Sequence, residues 1–145
     1  MATAASQYIQ QFVRSISEDI QRYQQLLVLI QQQKRLYLQF DGESLNDNIQ
    51  KQTPILNQLS RSAHERSQLM RSLGLVNNQS GVNRIFNALP AKISAPARKQ
   101  WALLESLVLQ CQQSNQSNGQ SSAAFQELLN QIQQPAQHTY EESSF

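Results

Sequence analysis

The side chains of this sequence that could carry catalysis or hold a metal are few: two histidines, one cysteine and two pairs of adjacent acids. His64 stands between Ala63 and Glu65 on the solvated side of a helical pattern, and His138 lies in a polar tail. Zinc sites need three or four Cys, His or carboxylate ligands at short, regular spacings, and neither HExxH nor CxxC occurs. Glu18-Asp19 and Glu141-Glu142 are sequence neighbours, so on a helix they point apart instead of sharing a proton across a cleft. Cys111 has no second cysteine to pair with, which suits a reducing compartment, and is expected as a small buried apolar residue. A phosphate loop of the G-x-x-x-x-G-K-[ST] type is missing, and no strand is present to carry a dinucleotide fingerprint. These residues predict a protein that is not an enzyme and uses no cofactor or metal.

Bulk composition points the same way. The 145 residues make one ordinary domain, rich in Gln and with only four Gly and four Pro, which favours helix over sheet. The net charge of +2 hides an asymmetry. Residues 1–100 carry all twelve Lys and Arg and six acids, for +6, whereas residues 101–145 carry four acids and no cation, for −4. The cations are spread along the sequence, adjacent only at Lys34-Arg35 and Arg98-Lys99, so nucleic acid is not expected as a partner. Residues 1–8 lack a basic then apolar leader pattern, and the longest apolar run is Leu26 to Ile30, far below the roughly 20 residues a bilayer requires. A cytoplasmic protein without membrane insertion is therefore expected.

The elements that would position a binding surface are helices. Ile9, Val13, Ile16, Ile20, Tyr23, Leu27, Ile30 and Tyr37 follow alternating steps of four and three, with Lys34 in the remaining slot. That rhythm predicts one long helix from about Ala5 to Leu38 with an apolar seam. Asp41-Gly42 signals a turn, and Ser44 is the expected N-cap of a second long helix, with Asp47 three residues on. Its seam runs through Leu45, Ile49, Leu56, Leu59, Ala63, Met70 and Leu73, with Gln52 and Arg66 in two seam slots and Gly74 as the terminator. Pro54 predicts a kink rather than a split, because the rhythm continues through it. Two such helices joined by a short turn form an antiparallel hairpin.

Shorter helices follow. Val76 to Ser80 is expected as a loop, and Gly81 to Leu89 as a short helix burying Val82, Ile85, Phe86 and Leu89. Pro90 to Pro96 is expected to break the chain before a helix from about Pro96 to Gln113 that buries Trp101, Leu104, Leu107 and Val108. Ser114 to Ser122, made of Asn, Ser, Gln and Gly, predicts a joint. Beyond it, Phe125, Leu128, Leu129 and Ile132 share one face of a last helix, which either packs as core or covers a partner helix. The fold class is thus all-α: a long antiparallel helical hairpin with three shorter C-terminal helices packed against it or partly mobile. Residues 1–114 form the body, and 115–145 form a C-terminal helix and tail that could bind a partner.

Two stretches carry a family resemblance. Lys51, Leu56, Leu59, Arg66, Leu69 and Leu73-Gly74 close the second helix in the manner of the FlgN family of flagellar type III export chaperones. Trp101, Leu104, Leu107, Asn115, Asn118 and Gly119 resemble that family's Trp, spaced leucines and N-x-x-N-G before the last helix. Thr139-Tyr140 is similar to the Tyr-bearing segment after it, although no Gly follows.

The resemblance implies a cytoplasmic chaperone for hook-filament junction proteins, holding their C-terminal helical segments and presenting them to the export gate. It implies partner contacts from Asn115, Asn118, Gly119, Phe125, Leu128, Leu129 and Ile132, and an export-gate contact from Tyr140. Monomer and homodimer remain open. The competing readings are an adaptor hairpin that dimerises through its seam and a chaperone of another type III branch.

Overall fold

The computed structural model describes residues 3–117. Four helices follow one another: α1 (Ala4–Leu38), α2 (Gly42–Ser72), α3 (Gln79–Asn87) and α4 (Ala91–Ser117), with no strand among the described residues. The expected last helix, Ala123 to Ile132, lies outside the described residues.

Local signals account for most boundaries. Thr3 caps α1, its Oγ1 accepting from the Ser6 N–H at 3.1 Å. At the other end Phe40 N–H donates to Tyr37 O and Asp41 N–H to Leu36 O, the crossed pair of a Schellman turn. This turn usually places Gly in the left-handed position, and here that position is Phe40 at φ 55°. The cap of α2 is Asp41 and not the expected Ser44: the Asp41 carboxylate accepts from the Ser44 N–H at 3.1 Å. An Asp starts the helix one turn earlier because its carboxylate both accepts that bond and favours the positive helix end.

Helix α2 runs unbroken through Pro54. It closes as expected on Gly74 at φ 71°, with Leu75 N–H donating to Met70 O and Gly74 N–H to Arg71 O. Asn78 then caps α3 through its bond from Gly81 N–H. Gly81 is required for packing, since a Cβ there would run into the Val76 carbonyl oxygen and the Met70 methyl.

Helix α4 starts five residues before the expected Pro96. Pro90 alone is the break, its carbonyl accepting from both Ile93 and Ser94 N–H at 2.9 Å. Pro96 sits inside α4 as its sixth residue, one turn in, where it removes the N–H that would donate to the Lys92 carbonyl. Of the joint expected from Ser114 to Ser122, residues 114–117 are helical as the end of α4, and the rest lies outside the described residues.

Helix α1 is the centre of the bundle, packed along α2 on one side and α4 on the other. Phe12 meets Trp101 with ring centroids 5.7 Å apart, and Cys111 Sγ lies 3.7 Å from Tyr23 O, so α4 runs parallel to α1. Serving two partners widens the buried stripe of α1 beyond a single seam. Phe12, Ile16, Asp19, Ile20, Tyr23, Leu26, Ile30 and Gln33 are buried. The expected seam residues Ile9, Val13 and Leu27 are only half-buried, and Lys34 and Tyr37 are exposed. In α2 the expected seam residues Leu45, Ile49, Leu56 and Leu73 are likewise half-buried, whereas Leu59, Ala63 and Met70 are fully inside. Val82, Ile85 and Phe86 of α3 and Trp101, Leu104, Leu107 and Val108 of α4 complete the core as expected, with Leu89 half-buried.

Candidate protein-binding site

Between α1 and α2 the interior is polar at two heights. At the lower one, Asp19 and Arg66 are both almost wholly buried and form an ion pair, Arg66 Nη1 to Asp19 Oδ2 at 2.6 Å. The same guanidinium nitrogen donates to Ser15 Oγ at 3.2 Å and Ser62 Oγ at 3.1 Å, while Arg22 reaches the other Asp19 oxygen at 2.8 Å. Burying two charges costs several kcal/mol each unless the pair and its hydrogen bonds offset it, and here both are present. At the upper height Gln52 Nε2 donates to Gln33 Oε1 at 2.8 Å and Asn48 Oδ1 at 2.7 Å, and Asn48 donates to Leu29 O at 3.0 Å. Both cross-helix pairs, 19 with 66 and 33 with 52, have residue numbers that sum to 85. They therefore report a single antiparallel register.

A groove of about 700 Å³ lies outside the lower pair, between α1 and α2. Four arginines (Arg14, Arg22, Arg61 and Arg66) and two glutamates (Glu18 and Glu65) line it, with Leu69 as its one large apolar side chain. Such a wet, mixed-charge surface does not suit the apolar face of a partner helix.

The groups singled out for chemistry are placed as follows. His64 is exposed and within 3.2 Å of Gln68 Nε2. Cys111 is fully buried against Tyr23 O, and burial pushes its thiol up to about 12, so it stays protonated at neutral pH. Burial, reinforced by the Asp19 charge, also pushes the Tyr23 hydroxyl well above its ordinary range. Burial raises the half-buried Glu105 carboxyl, opposed by the nearby Trp101 indole, whose N–H donates to Gln79 Oε1 at 3.4 Å. No group of three or more His, Cys, Asp or Glu could hold a metal ion among the described residues. No helix among them is long and apolar enough to cross a membrane.

Of the sequence-predicted binding residues, Asn115 falls on the last turns of α4 and is buried, with 5% of its surface exposed. Asn118, Gly119, Phe125, Leu128, Leu129, Ile132 and Tyr140 lie outside the described residues. Sequence reasoning placed Arg66 and Gln52 in the seam but missed Asp19 and Gln33. The available signal was the shared sum of the residue numbers, which sets an Asp opposite the Arg and a Gln opposite the Gln.

The described residues form an all-α bundle whose hairpin is locked by buried polar pairs, without a catalytic or metal-ligating cluster among them. A sequence model of the FlgN protein family matches residues 1–144. The chain belongs to the FlgN family, and with membership comes a role as a flagellar export chaperone. The solved structure of a candidate flagella synthesis protein FlgN from Pseudomonas aeruginosa is similar at 23% identity and TM-score 0.70, covering 88% of this chain and 94% of that one. That likeness shows a shared helical fold. No curated protein matches the chain.

Proposed function

We propose that this chain is a cytoplasmic chaperone that binds the C-terminal helical segments of hook-filament junction proteins and brings them to the type III export gate. The observation that carries this reading is the family match, which extends through the C-terminal segment to residue 144. Phe125, Leu128, Leu129 and Ile132 share one face at helical spacing, as a helix-in-groove contact requires. Asn118 and Gly119 supply the joint that lets this face turn toward a partner, and Tyr140 contacts the gate. Asn115, being buried in α4, contributes by anchoring the joint to the body. A partner segment that orders only on binding uses part of its interaction energy for ordering, which keeps affinity moderate and permits release.

The adaptor alternative is weakened by the packing. The apolar face of α1 is already covered by α2 and α4, so a dimer through that seam would require the helices to exchange partners.

Calorimetric titration with a C-terminal segment of a junction protein tests the proposal. The full chain should bind with micromolar or tighter affinity, and Leu128→Asp with Ile132→Asp should weaken binding by at least about tenfold while the fold is kept. Equal affinity of the substituted and parent chains would remove the last helix from the site, and no binding by either would remove the junction proteins as partners.

A further inference from the structure

The cations that look scattered in the sequence converge in space. Between Glu65 and Glu105 there is no Asp or Glu, while Arg66, Arg71, Arg84, Lys92, Arg98 and Lys99 fall in that interval. All but Arg66 are exposed. They sit at the end of the bundle where α3 links α2 to α4. Phe86 of α3 lies 6.4 Å from Phe12 and 6.2 Å from Trp101, and Ser94 Oγ donates to Phe86 O at 2.9 Å. Arg14, two residues beyond Phe12 on α1, points away from this face and lines the α1–α2 groove with Glu18 and Glu65 instead.

None of Arg71, Arg84, Lys92, Arg98 and Lys99 has an ion pair among the described residues. The guanidinium of Arg98 is held in place, 5.3 Å from the Phe86 ring centroid and 2.6 Å from Asn87 Oδ1. The opposite end, by contrast, mixes Lys34, Arg35 and Lys51 with Asp41, Glu43 and Asp47.

We propose that the α3 end of the bundle is a docking surface for an acidic protein segment. Five cations without an ion pair on three helices, Arg71, Arg84, Lys92, Arg98 and Lys99, outnumber the adjoining acid, Glu105 beside Arg98, and leave a field that an acidic partner would neutralise. Three of the five are arginines, whose planar fork matches a carboxylate in two parallel hydrogen bonds. Val76 at 67% exposure and Ile93 at 47% offer apolar contact within the same end. The aromatic residues there, Phe12, Phe86 and Trp101, are buried, so neither interfacial anchoring in a bilayer nor stacking on bases has a side chain to use. This surface stands on the placement of charges alone and does not depend on what the C-terminal segment binds.

The test is fluorescence anisotropy of a labelled oligoglutamate peptide with the full-length protein. Binding should weaken by at least about fivefold between low and physiological salt, because exposed charges are screened. Arg84→Glu with Lys92→Glu should weaken it by about tenfold or more, since like charges would face the peptide. Lys34→Glu with Arg35→Glu, at the other end, should change it less than about twofold, since those sites lie beyond a screening length. All four sites are exposed, and circular dichroism checks that each variant keeps its helices. Equal losses from both double variants, absence of binding, or tighter binding to phosphatidylglycerol vesicles or a single-stranded oligonucleotide would overturn the proposal.

Discussion

The lower and upper halves of the hairpin are built from the same two helices and are held by different means. Below about Leu26, α1 has α2 on one side and α4 on the other, and the space between them is filled by Phe12, Ile16, Tyr23, Leu59, Met70, Phe86 and Trp101. Charge enters there only as the compensated Asp19–Arg66 pair. Above that level the described part of α4 runs only to Ser117. There the contact between α1 and α2 uses a layer of amides, Gln33, Asn48 and Gln52, beside the buried Ile30, while Val28, Tyr37, Leu38 and Phe40 are exposed. The same two helices thus meet around one charged pair inside an aromatic and aliphatic core at one height, and through mutually bonded amides at the other.

The largest effect expected from this contrast is in the lower half. Trp101→Ala should cost about 3–5 kcal/mol in denaturant unfolding, the range for a large aromatic removed from a core. A cost below about 1 kcal/mol would mean that the aromatic cluster does not hold α4. Asp19→Ala should cost about 3 kcal/mol because it leaves Arg66 buried without its carboxylate, and adding Arg66→Met should recover most of that loss. If the double variant were no more stable than the single one, the pair would be holding more than its own charge.

Alkaline pH probes the same region through Cys111. Its thiol is raised from 9.0 to about 12 by burial, so the unfolded chain loses this proton first as pH rises. The stability it contributes is whole below about pH 9 and lost between about 9 and 12, and Tyr23 acts in the same direction at the upper part of that window. Cys111→Val should flatten the decline, read as melting temperature against pH, and an unchanged slope would assign the decline to other groups.

In the upper half, Gln52→Leu should cost only about 1–2 kcal/mol, the penalty for leaving Gln33 and Asn48 amides short of a partner. The smallest effect is at the turn, where Phe40→Gly should raise stability by about 1 kcal/mol, since Gly takes the left-handed conformation without steric cost. A loss on Phe40→Gly would show that the exposed ring contributes contacts that outweigh its backbone strain.

Much of this fold was legible in the sequence. The four-three rhythm gave α1 to within one residue of its start, Gly74 marked the end of α2, and Val82, Ile85, Phe86, Trp101, Leu104 and Val108 could be assigned to the core. The misreadings share a cause. A heptad seam assumes one partner, so Ile9 and Leu27 were favoured over Phe12 and Leu26, which are buried because α1 has two. The turn signal Asp41-Gly42 was real, but the left-handed residue is Phe40, a choice that no propensity argument would make. Pro96 was read as a start because proline favours the first turn, although the Pro90 carbonyl had already opened the helix. Of the binding residues, Asn115 alone can be placed, and it faces inward. The end-to-end charge contrast could not be read along the chain, since Arg84 and Arg98 come together only when α3 folds onto α4 and the Arg98 guanidinium meets Asn83 and Phe86.

That parallel arrangement has a consequence for how the protein is made. The hairpin α1–α2 is complete once Ser72 has left the ribosome, but the side of α1 that faces Trp101 and Cys111 stays uncovered until α4 emerges. At a synthesis rate of about 5–20 residues per second, that interval lasts roughly 2–8 seconds. During it the nascent chain shows water a stripe of Phe12, Ile16 and Tyr23 on a finished helix, an exposure that makes a partly made bundle prone to association with other chains.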